Sequence, residues 1–214
     1  RGKEERSKTA PFTRAPDSAL APDASGQRTG NVRSSKRKTL DKSVVSLETK
    51  NVYSYPIEER YIQKVVTKES PAHRVYKTAK GVTFDLTNAF DFLCNIGTPV
   101  KVAFKGKVFD VRDDLKESYN GFKFPSEDVM PEEKQDGNFV VIRHMGDEFS
   151  IYSHLGYKQI SLEKGQMVKT GDILGYSGET GWSIKPHLHF MVFNFIKGRN
   201  PSEGLKSLQI NWKK

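Results

Sequence analysis

The sequence predicts an all-β fold, a compact antiparallel sandwich or barrel. Three observations carry the prediction. Short runs rich in β-branched and aromatic residues recur from residue 81 onward, glycines separate them, and no segment holds a helical apolar period of convincing length.

Residues 1–45 stand apart from this pattern and form a basic low-complexity arm. They are rich in Ser, Thr, Ala, Pro and Gly, and Phe12 is their only aromatic residue. Such a stretch buries too little apolar surface to offset the entropy of ordering. Residues 1–43 hold eleven Lys or Arg against five Asp or Glu, so most of the chain's net charge of +9 sits there. Lys36, Arg37 and Lys38 form its densest basic knot. A basic arm suits an anionic partner: RNA, an acidic protein or a membrane surface. The folded domain is expected over 46–214.

Within that domain, 52–55 and 61–66 have strand composition. Further strands are expected at 99–104, 107–111, 138–144, 149–154, 167–169, 173–176, 187–195 and 207–212. Residues 112–136 are polar and carry Pro125 and Pro131, which predicts a long surface loop of the kind that borders a cleft. No apolar run reaches the roughly 18 residues of a membrane helix. The single cysteine, Cys94, excludes an internal disulfide. The chain starts at Arg1 and its first methionine is Met130, as in a processed or trimmed protein.

There are five histidines: His73, His144, His154, His187 and His189. His187 and His189 are two apart in a strand-like run, so they project to one face, about 7 Å apart. His154 ends another such run. Three histidines at strand ends suit a metal or acid–base cluster. Hydrogen-bonded histidines at a sheet edge are the other reading of the same pattern.

The blocks GTPVKVAFKG (97–106), NFVVIRHMGDEFSIYSHLG (138–156), GQMVKTGDILGYSGETG (165–181) and PHLHF (186–190) follow one another in order. With NAFDF at 88–92 and SLQIN at 207–211, they resemble the lysostaphin-like (LytM-type) zinc metallopeptidase family over residues 50–212. The resemblance implies a compact β fold with a groove across one sheet, a zinc cofactor, and peptide cross-bridges of bacterial cell walls as substrate. It implies Asp91 and His189 as metal ligands, His154 and His187 as the acid–base pair, and a structural role for His144.

The sequence departs from the family in two places. The first metal-ligand histidine normally lies a few residues before the aspartate, and the stretch from Gly81 to Asp91 has no histidine. His73 would serve only if an insertion folds back to the site. Asp85 is a second candidate, since a carboxylate also binds zinc. Cys94 fits a small buried residue better than a ligand. Lys185, where the family has a small residue, places a positive charge near the proposed metal.

These departures favour a catalytically impaired domain that serves as a binding or structural subunit of a larger assembly, anchored by the arm. The alternative is an active zinc endopeptidase cleaving cell-wall peptides. The first reading is compatible with an organelle such as the mitochondrion after removal of a transit peptide. The second implies an exported or periplasmic protein.

Overall fold

A computed structural model describes residues 47–77, 81–123, 125, 128–130, 132–196 and 204–214. The arm, with Lys36, Arg37 and Lys38, lies outside the described residues. The regular structure of the described residues is nearly all strand, as expected, with three single-turn 3₁₀ segments.

The centre is made by β9 (Asn138–Arg143), β10 (Phe149–Ile160) and β14 (His187–Phe195). β10 lies between the other two and pairs antiparallel with each, with Ser153 opposite His189 and Phe149 opposite both Arg143 and Phe193. The remaining strands extend this frame. In chain order they are β1 (Glu48–Tyr53), β2 (Lys64–Val66), β3 (Val75–Lys77), β4 (Thr83–Asp85), β5 (Phe90–Leu93), β6 (Pro99–Lys101), β7 (Gly106–Arg112) and β8 (Ser118–Tyr119). After β10 come β11 (Met167–Val168), β12 (Ile173–Ser177), β13 (Gly181–Trp182), β15 (Leu205–Ser207) and β16 (Gln209–Trp212). Twelve of the described strands form one sheet. The antiparallel expectation holds for most pairs, but β1–β16, β8–β13 and β4–β15 are parallel.

The central strands are buried on both faces, which is why they read as near-continuous apolar runs. One face supplies Val140, Ile142, Tyr152, Leu188, Phe190 and Val192 to the main core. The opposite face supplies Phe139, Val141, Phe149, Ile151, Met191 and Phe193 to a second core, closed by Tyr76 of β3, Phe84 of β4, Leu86 and Leu205. His189 lies on this second face, two residues before Met191 in the strand alternation. The antiparallel β3–β4 pair therefore roofs the sheet right beside the histidines.

The long loop expected over 112–136 is tied down at several points. Its β8 pairs with β13, and the Trp182 indole N–H donates to the Gly121 carbonyl at 2.9 Å. Gly137 (φ 64°) packs so closely on the Thr180 carbonyl that a Cβ would sit 2.3 Å from it.

Candidate metal centre

Antiparallel register sets the first pair of site residues. Asp91 of β5 stands directly opposite His189 of β14. Its Oδ1 lies 2.9 Å from His189 Nδ1. The third member arrives from outside the strands. His73, 18 residues before Asp91, places Nε2 at 3.0 Å from the same Oδ1. His187 Nε2 follows at 3.6 Å. One atom each from His73, Asp91 and His189 lie within 4.8 Å of one another. Ligand atoms around a tetrahedral zinc are separated by about 3.3 Å, given metal–nitrogen distances of about 2.0–2.1 Å. The two approaches to Asp91 Oδ1, at 2.9 and 3.0 Å, are already of that order, so the three donor atoms lie on the scale of one ion's ligand shell.

His73 reaches the site because 67–74 is a chain of tight turns. Ser70 N–H donates to Thr67 O, His73 N–H to Ser70 O, and Arg74 N–H to Ala72 O. The Thr67 carbonyl also faces His73 Nδ1. A carbonyl only accepts, so Nδ1 carries the proton and Nε2 turns its lone pair toward Asp91. Two lone pairs facing each other are unfavourable unless a cation or a proton lies between them. The donor set thus fits a metal ion.

Burial pushes the Asp91 carboxyl up, but the close side-chain contacts of His189 and His73 and the nearby rings of His189 and His187 outweigh it. The group is held well below the usual carboxylate range. Burial also lowers His189, against the opposing pull of Asp91. Both groups are thereby kept in the ligand-competent form, carboxylate and neutral imidazole.

His154 is held by a break in the sheet. The β9–β10 register shifts between Tyr152 and Leu155, and His154 adopts φ 63°. A bulge re-aims a side chain. Plain alternation would send His154 to the same side as Tyr152, into the main core. Instead its ring lies 4.7 Å from that of His187 and 6.1 Å from that of His189. Its Nδ1–H donates to the Thr180 carbonyl at 2.9 Å, leaving the Nε2 lone pair free. Burial first, then the neighbouring His187 and His189, push its pKa well below the ordinary value. His154 is a neutral imidazole with its basic nitrogen unengaged.

His187 Nδ1–H donates to the Lys185 carbonyl at 2.7 Å. The Lys185 side chain is exposed on the rim, and among the described residues it makes no ion pair with Asp91. The other expected alternatives lie elsewhere. Asp85 accepts from Thr87 N–H, Thr87 Oγ1–H and Ser207 Oγ–H, and is not in the donor group. Cys94 is buried in the main core, and burial raises its thiol. His144 is buried away from the site between the Lys105 carbonyl and the Ser150 hydroxyl, as a structural residue should be.

The cleft around the cluster is lined by Val66, Glu69, Ser70, Pro71, Ala72, Asp136, Trp182, Ile184 and Lys185 beside the histidines. Sequence reasoning missed Trp182, Asp136 and the 69–72 wall. The one available signal was Ser70-Pro71, a turn pair just before the candidate ligand His73.

Residues 85–201 match the model of Peptidase family M23. His73 precedes the matched stretch. The chain is 33% identical to lysostaphin of Staphylococcus simulans over 132 residues, which cover 59% of this chain and 23% of that protein. It is 33% identical over 153 residues to the peptidoglycan DD-endopeptidase ShyB of Vibrio cholerae, covering 72% of this chain and 29% of that one. A solved zinc-containing peptidase from Vibrio cholerae aligns with a TM-score of 0.46 at 28% identity, covering 66% of this chain and 36% of its own. The chain thus spans less than a third of the length of these two curated relatives. More than half of the chain lies in the matched stretch, which includes Asp91, His154, His187 and His189, and the chain belongs to Peptidase family M23.

Proposed function

We propose that this chain is a zinc-dependent peptidase acting on peptide bonds of the bacterial cell wall, with His73, Asp91 and His189 as its metal ligands. The observation that carries the reading is the approach of His73 Nε2 to the carboxylate that also meets His189. The substrate class rests on the relatives, among them a peptidoglycan DD-endopeptidase. An exported location suits that substrate.

Zinc, when bound, polarises a scissile carbonyl and makes water a nucleophile near neutral pH. The chain's own residues supply the rest. His154 Nε2, neutral and unengaged, takes a proton from the attacking water and returns it to the departing amine. His187, fixed by the Lys185 carbonyl, faces the same space and, in its doubly protonated form, steadies negative charge on the carbonyl oxygen through Nε2–H. The cleft wall formed by 69–72 and Trp182 orients the peptide.

The impaired-domain reading drew its support from the want of a third ligand and from Lys185. His73 supplies a candidate for the first, and the exposed Lys185 side chain weakens the second. Elemental analysis of the purified chain tests the choice. The expected result is about one zinc per chain, lost in His73→Ala and in His189→Ala. A folded wild-type chain without zinc would sink the peptidase reading and return the protein to a binding role.

A further inference from the structure

We infer that Glu69 and Tyr76 are positioning residues that clamp the 67–74 loop and so set the metal affinity of the site. This rests on the reading of His73 as a ligand. Asp91 and His189 are fixed by sheet register, but His73 stands in a loop. No ladder hydrogen bond holds its Nε2 in place. Whatever fixes the loop therefore fixes the third donor.

Two side chains do so from opposite ends. The Glu69 carboxylate accepts from the Thr67 N–H at 3.1 Å and from the Thr67 hydroxyl at 3.5 Å. Thr67 in turn offers the carbonyl that orients His73 Nδ1. At the other end, the Tyr76 hydroxyl donates to the Ala72 carbonyl at 3.1 Å, one residue before His73. The Tyr76 ring is buried in the second core and its strand pairs with Phe84. Tyr76 thus ties the loop to the packed second core. Neither residue belongs to the donor group. Both act through His73, as outer-shell partners act on ligands in metal sites generally.

Zinc affinity, measured on the full chain by competition with a chromophoric chelator, decides the matter. Tyr76→Phe keeps the ring and removes only the hydroxyl; Glu69→Ala removes an exposed carboxylate. Each is expected to weaken zinc about 10-fold, the low end for outer-shell changes. Glu69→Gln, which keeps one acceptor, should recover most of the loss. Cobalt(II) absorption of the two weakened variants should shift, because the third nitrogen is no longer held in place. Wild-type affinity and an unchanged cobalt spectrum in both variants would overturn the clamp while leaving the metal reading standing. A wild-type chain that takes up no zinc would overturn both, before any variant is compared.

Discussion

At the scale of single residues, the site separates into groups that hold and groups that react. His154 has the most constrained backbone of them. A left-handed conformation at a non-glycine residue costs on the order of 1–3 kcal/mol and persists only where the surroundings enforce it. Here three hydrogen bonds enforce it: His154 N–H to the Asp136 carbonyl, Gly178 N–H to the His154 carbonyl, and the ring to Thr180. The strain lets the imidazole face the cleft. His154→Asn should therefore retain bound zinc and lose at least about 100-fold in turnover of cross-linked wall peptides. Equal turnover in the variant would remove His154 from the chemistry. Four of the five central groups were legible as residues: strand alternation pairs His187 with His189, a strand end carries His154, and the family resemblance implies Asp91. His73 was a candidate ligand only on the condition that the chain folds back, one of two beside Asp85. Its position depends on a loop that folds back across 18 residues, which no local periodicity encodes.

At the scale of elements, the central strands were legible because two-sided burial makes them long and apolar. The three-residue strands β3 and β4 were not, since neither shows an alternation long enough to read. Yet they roof the second core and carry the His73 loop. β1 depends on a different device, a buried carboxylate. Glu148 accepts from the Lys50 N–H, from the Asn51 N–H and side-chain amide, and from the Tyr53 hydroxyl at 3.0 Å. Burial first, and then Glu148, raise the Tyr53 phenol, so the proton stays on Tyr53. Glu148→Ala leaves these donors facing a void. The expected loss is about 3 kcal/mol, from several unsatisfied buried groups. Urea unfolding measures it; a change under about 0.5 kcal/mol, the range of ordinary surface substitutions, would show that β1 is held by its pairing with β16 alone.

At the scale of the whole molecule, the buried histidines make stability depend on pH. His144 carries the clearest value: burial, opposed by the Lys105 carbonyl and by Glu148, lowers its pKa to about 4. In the folded protein its Nδ1–H donates to Lys105 and its Nε2 accepts from Ser150, so the neutral ring is satisfied, and a second ring proton would force the Ser150 hydroxyl to turn from donor to acceptor in a buried site. The unfolded ring titrates near 6.5. Between that value and about 4 the unfolded chain binds the proton and the folded chain does not. Stability against unfolding must then fall as pH falls through this window, by about 3 kcal/mol in all, and level off for this residue below it. His154 and His189 are displaced in the same direction and add to the loss. His144→Gln should be less stable than wild type at neutral pH, because it disturbs a packed hydrogen-bonded site. Its stability should nevertheless decline less steeply on acidification, by up to about 1.4 kcal/mol per pH unit. Urea melts at several pH values, run on both proteins without metal, measure the two slopes. Parallel slopes would mean that His144 takes its proton within the fold.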